Sequence, residues 1–316
     1  MSRLYNMKTG SADLTDLSDG RQAVPSVGGD GRVFYVDPSS SVGYTVGAVG
    51  NDGLRPDASF LTLQAAIDAC DNWRGDKIIC KAGTQTVTTS VLFNKQGITV
   101  EAEGAGLPLE SKGERFVLYG SHTDGPAATI SAPCSIRGLG FCGSETAGAS
   151  VEVDGSTGGF DGGNFYELLG CRFSHWGIAK AFCLLIQGGS DGIIDHCMFD
   201  GYDTGYTTAG IGVDDSGSNG VLALRITNNL FLNIGSGKYC IAMVDSSVHF
   251  RLSLIAHNYN IGSAKLINFN SCTGDGYTMI ADNYTGAATD TSSYNAAVSD
   301  LQTAGFQFAN NHYEES

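Results

Sequence analysis

The chain has 316 residues, a net charge of −15, 44 glycines and only 16% charged residues. It is long enough for one large domain or two small ones. With no run of lysine or arginine it lacks the basic footprint that DNA or RNA requires, and no stretch is apolar for long enough to span a membrane as a helix. Many potential turns and few long charged side chains point to an all-β body.

Residues 1–32 are polar, rich in glycine and serine, and without periodicity. They read as an arm, either a mobile terminus or an attachment segment. They contain no apolar core of a secretory signal, so synthesis in a cytoplasm without export by the usual route is expected. At VFYVD (33–37) alternating apolar residues start a strand. A loop with NDG (51–53) and Pro56 follows, and then a helix is predicted from Thr62 to Asn72. Its apolar residues Leu63, Ala66, Ile67 and Cys70 fall on one face, and Thr62 is placed to cap its N-terminus. DKIICKAGTQTV (76–87), SVLFN (90–94) and GITVEAE (97–103) are short β runs bounded by turn residues.

The order FYVD, NDGLRPDASFLTLQAAIDAC, GDKIICKAGTQTV resembles the opening of right-handed parallel β-helix proteins of the pectin-lyase-like superfamily. There a strand, a short capping helix and a "GD-x-I-x-x-x-x-GT" strand pair precede the regular coils. The resemblance covers residues 33 to 313 and implies a single-stranded parallel β-helix over 33–316. Within the superfamily the chain looks most like the β-helix proteins of phage tail spikes and virions. Physically, the first coil of such a stack exposes unpaired backbone groups and apolar core, and an amphipathic helix at 62–72 suits the task of covering them.

Residues 115–141 supply FVLYG, ATISA and CSIRGLGF, the coil leading into the repeats. From there seven stretches each end on an aromatic: IRGLGF (136–141), LLGCRF (168–173), IDHCMF (194–199), ITNNLF (226–231), IAHNY (255–259), IADNY (280–284) and ANNHY (309–313). The intervals between their aromatics are 32, 26, 32, 28, 25 and 29 residues, the imperfect period of a solenoid with fixed strands and variable loops. Between them lie second apolar strands, FCLLIQ (182–187), IGVDD (211–215), CIAMVD (240–245) and LINFN (266–270). Some eight or nine rungs, about 4.8 Å apart, would give a rod on the order of 40 Å long. Asn at 228, 229, 258, 283, 310 and 311 recurs just ahead of the aromatics, placed to bond from coil to coil at a corner. The nine cysteines include no CxxC and read as small buried thiols; Cys171 and Cys197 take the same place in successive repeats. A second helix, Asn295 to Ala304 with Gly305 behind it, is predicted within the last coil.

Chemistry-bearing residues are few. Asp195, His196 and Cys197 resemble the "DH" strand of pectate lyases, but the arginine motif and calcium carboxylates that this branch implies are not matched. Asp214 and Asp215 supply the acid pair of the galacturonan hydrolases, whose Gly-His-Gly and Arg-Ile-Lys strands are missing; Arg225-Ile226-Thr227 lacks the lysine. Asp195, His196, Asp214 and Asp215 are therefore the catalytic candidates, and a carboxylate pair on adjacent rungs would suit a glycosidase. His175 and Trp176, with Tyr202 and Tyr206 one coil later, could form a ledge for a sugar ring. The acidic loops match no full calcium-ligand spacing, so neither metal nor cofactor is expected.

These features point first to a bacteriophage virion protein, a tail spike, fibre or capsid decoration. It would be anchored to other virion proteins through residues 1–32 and, as the resemblance implies, trimeric. Host surface polysaccharide is its expected partner, with no nucleic acid and no membrane insertion. The alternative is a polysaccharide depolymerase, lyase or hydrolase.

Overall fold

The computed structural model describes residues 31–39, 51–103, 115–121, 125–143, 149–155, 165–174, 182–188, 191–201, 209–214, 221–244, 248–262, 264–270, 272–285, 294, 301–302 and 304–313. These residues form a right-handed parallel β-helix. Its coils contribute to a ten-stranded, a nine-stranded and a seven-stranded sheet, and a three-stranded sheet is added beside the later coils. Every paired strand is parallel, from Val33–Val36 against Lys77–Cys80 to Tyr284–Thr285 against His312–Tyr313. Ten strands in the longest sheet extend the expected eight or nine rungs to a stack of about 43 Å.

One residue per strand fixes the register of the ten-stranded sheet. Phe34, Ile78, Val100, Ile136, Leu168, Ile194, Ile226, Ile255, Ile280 and Phe308 pair in succession; the first nine are buried and Phe308, on the last strand, is half-buried. A period of two then turns the flanking residues of each strand outward. In the nine-stranded sheet the inner column is Leu118, Phe141, Phe173, Phe199, Phe231, Asn260, Thr285. The four phenylalanines stack with ring centroids 5.4, 4.8 and 5.0 Å apart.

Tyr259 and Tyr284 do not continue that stack. Five positions separate the inner aliphatic from the aromatic in IDHCMF and ITNNLF, but only four in IAHNY and IADNY. The shorter spacing puts Tyr259 and Tyr284 on the outer face, opposite Leu230, and brings Asn260 and Thr285 inside. Tyr259 and Tyr284 stack on each other there, 4.3 Å between centroids.

Two-residue corners join the ten-stranded to the nine-stranded sheet. Their first residue has a left-handed backbone: Gly138, Gly170, His196, Asn228, His257, Asp282 and Asn310, with φ between 49° and 70°. Glycine, asparagine, aspartate and histidine are the residues that tolerate this region best. The second corner residue points inward and ties coil to coil. Asn229, Asn258, Asn283 and Asn311 each donate Nδ2 to the carbonyl of the inner isoleucine one coil back, Ile194, Ile226, Ile255 and Ile280, at 2.8–2.9 Å. Their Oδ1 atoms accept the backbone N–H of the preceding corner, Cys197, Asn229, Asn258 and Asn283, at 2.9–3.1 Å. Cys171 and Cys197 occupy the same column and point Sγ at the carbonyls of Ile136 and Leu168, so these thiols extend the ladder as well as filling core.

The capping helix is shorter than predicted, Leu63–Asp68, because the chain tightens at Cys70, whose N–H turns back to Ile67, and is then held at Asp71 by the buried Asp76. Thr62 caps it as expected, accepting the Ala65 N–H at 3.3 Å, and Gln85 of the coil body accepts that of Leu63. Leu63, Ala66 and Ile67 are buried in the first coils. Residues 295–300 and 303 of the second predicted helix lie outside the described residues. Leu301 is buried, and Gly305 closes the turn with φ 96°. Among the described residues no helix is long and apolar enough to cross a membrane.

Candidate functional site

The outer face of the ten-stranded sheet carries a groove of about 200 Å³ lined by Glu167, Leu169, Ile193, Asp195, Arg225, Thr227, Asn228, Leu254 and His257. Two outward columns build it. One runs Glu167, Ile193, Arg225, Leu254, and the other Leu169, Asp195, Thr227, Ala256. The corner residues His196, Asn228 and His257 stand along its rim on three successive coils.

Asp195 is its best-organised charge. Oδ1 accepts Thr227 Oγ1 at 2.7 Å and Asn228 Nδ2 at 2.8 Å, while Oδ2 lies 2.7 Å from His196 Nδ1. Burial alone would raise this carboxyl. The hydrogen bonds from Thr227, Asn228 and His196 outweigh burial and hold it below the ordinary carboxylate range. An ionised carboxylate only accepts, so His196 Nδ1 is the donor, and in the neutral form of the ring Nε2 is then the acceptor. His196 is 65% exposed and stands on the corner beside the groove.

Arg225 begins the next strand and is exposed, one column from Asp195. His257 takes on the IAHNY corner the place that His196 takes on IDHCMF. Glu167 is mostly buried and faces Arg137 at 3.6 Å. The sequence reading named Asp195 and His196 but set Arg225 aside for want of a family motif and passed over His257 and Glu167. Aligning the repeats on their inner isoleucines would have placed both histidines in one corner column.

The other candidates are not brought to this groove. Asp214 ends a strand of the seven-stranded sheet, paired with Gln187, so it and Asp195 belong to different sheets. Asp215, His175, Trp176, Tyr202 and Tyr206 lie outside the described residues.

The calcium site implied by the pectate-lyase resemblance needs converging carboxylates. Among the described residues no three of His, Cys, Asp and Glu converge in this way, and both oxygens of Asp195 are engaged. The residues of the groove therefore do not fit such an ion, and no chemistry is routed through one.

No protein-family model matches the chain, and no curated protein sequence does. Among solved structures, the crystal structure of pectate lyase Pel9A is similar at a TM-score of 0.52 and 15% identity, covering 93% of this chain and 79% of that one. A rhamnogalacturonan lyase aligns at a TM-score of 0.45 and 15% identity, over 90% of this chain and 89% of that one. At this identity the likeness to the pectate lyase is one of fold: this chain shares a parallel β-helix architecture with it.

Proposed function

We propose that the protein acts on polysaccharide along the outer face of its ten-stranded sheet, and that it cleaves a uronate-containing chain by β-elimination. The observation that carries this reading is the groove that brings Asp195, Arg225 and His257 together, with His196 hydrogen-bonded to Asp195 beside it. The likeness to a structure named a pectate lyase makes acidic polysaccharide the first substrate class to test.

His196 Nε2 removes the proton next to the uronate carboxylate, and Asp195 stabilises the imidazolium that forms. Arg225 pairs with the substrate carboxylate and balances the charge that develops on it as the proton leaves. The C4–O bond then breaks, its electrons leave with the oxygen, which is protonated by solvent, and C4 and C5 are left doubly bonded. A hydrolase would need one carboxyl kept protonated at neutral pH. Asp195 is held in the opposite direction, which favours elimination over hydrolysis.

A second reading keeps the face and omits the reaction: a virion adhesin, anchored by residues 1–32 and assembled as a trimer, that holds host glycan. The polar stretch ahead of the β-helix favours it. One assay separates the two. Purified protein is incubated with polygalacturonate and with host capsular polysaccharide, and the ultraviolet absorbance of unsaturated uronate is followed together with binding. Elimination predicts new absorbance, lowered about a hundredfold or more by His196→Ala. Binding with no product supports the adhesin. Neither binding nor product overturns both.

A further inference from the structure

Toward its C-terminal end the same sheet face changes character. In the column of Arg225 the next residues are Leu254 and Met279, and in the column of Asp195 and Thr227 they are Ala256 and Ala281. At the edge of the sheet, two residues ahead of Leu254 and Met279, stand Leu252 and Tyr277. Tyr277 is 72% exposed, Leu252 59% and Met279 39%. A single exposed apolar side chain is ordinary, but several side by side on one face mark a binding surface.

The edge is built to present them. Leu252 has φ 51°, the left-handed backbone of this corner, which few leucines adopt. Asp191 and Ala223 take the same left-handed backbone at this corner of the two preceding coils, and at Leu252 the amide is held by Asp275. Its Oδ2 accepts the Leu252 N–H at 3.0 Å, and its Oδ1 accepts the Tyr277 N–H at 2.9 Å and Thr278 Oγ1 at 3.3 Å. One carboxylate thus holds the corners of two successive coils. Burial would raise Asp275, but the Tyr277 and Leu252 amides outweigh it and keep the group below the ordinary range, so it is ionised at neutral pH.

We propose that Leu252, Leu254, Tyr277 and Met279 form a subsite for an uncharged pyranose ring of the same glycan whose uronate unit lies at Arg225. The inference rests on the glycan-binding reading of the groove and extends it to the substrate class: a heteropolysaccharide in which charged and neutral units alternate. An apolar ring face fits these side chains. Leu254 lines both the groove and the patch, which makes the two surfaces continuous. Among the described residues no lysine or arginine forms an ion pair with Asp275, so a second uronate here would meet an uncompensated carboxylate. Leu254 and Met279 are one and two rungs beyond Arg225, about 5 and 10 Å along the face.

The test compares oligosaccharides of hyaluronan and of rhamnogalacturonan backbone, which alternate charged and neutral units, with oligogalacturonate, in which every unit is charged. Binding is measured calorimetrically for the full chain, for Tyr277→Ala and for Tyr277→Phe. Tyr277 is exposed, so both variants retain the fold. The expected result is tighter binding of at least one alternating series, by about tenfold. Tyr277→Ala abolishes that preference, and Tyr277→Phe keeps it. Equal affinity for all three series, or a preference untouched by Tyr277→Ala, overturns the subsite. If His196-dependent cleavage persists in that case, only the subsite falls; if no glycan is bound or cleaved, the glycan reading falls with it.

Discussion

Asp195 and His196 show how a corner residue acquires a second use. Histidine suits the left-handed position that Gly170, Asn228 and Asp282 fill in other coils, so the backbone alone accounts for its being tolerated there. The hydrogen bonds on both oxygens of Asp195 are what backbone geometry does not require. They have a consequence for stability. Because the folded pKa of Asp195 is lowered, its contribution is fully present above the unfolded value of about 4 and is lost as pH falls through the folded value. Asp195→Asn is therefore expected to be less stable than wild type at neutral pH, with the gap closing as pH falls below about 4. Urea midpoints across that range measure it, and a gap independent of pH would contradict the role given to the charge. The pair itself was legible in the sequence, since the two residues are adjacent. Thr227 and Asn228 were not, because their link to Asp195 spans a whole coil.

At the scale of elements, the strands and the capping helix could be read from alternation and from the Thr62 cap, because these are local signals. Register could not be read from aromatics alone. Phe199 and Tyr259 end similar motifs, yet one residue fewer after the inner isoleucine sends Tyr259 outward. The two positions should differ sharply on truncation. Phe199→Ala opens a cavity between Phe173 and Phe231 and is expected to cost about 3–5 kcal/mol. Tyr259→Ala, on a side chain 46% exposed, should cost about 1 kcal/mol or less. Chemical denaturation of both variants checks this, and equal losses would argue against the assigned register.

Over the whole molecule, all nine cysteines are free and buried, spread from Cys70, just past the capping helix, to Cys272 in the later coils. Burial pushes the thiols of Cys70, Cys134 and Cys272 up to about 12, so little thiolate exists at neutral pH. The native protein is expected to be nearly silent toward a thiol-specific reagent, with reactivity appearing only as coils open in urea. Rapid labelling of several thiols without denaturant would show that the coils open separately under native conditions.

The asparagine ladder also gives the rod a direction. Each corner amide is capped by a side chain from the coil that follows it, never from the coil before. A load applied at the C-terminal end therefore strips caps one at a time, and every lost coil uncovers the next amide. Successive corners lie 32, 29, 25 and 28 residues apart. Drawn out fully, each released coil lengthens the chain by roughly 80–115 Å. In single-molecule extension the protein would then yield as a sawtooth with teeth of that spacing, behaving as a spool that pays out thread from one end.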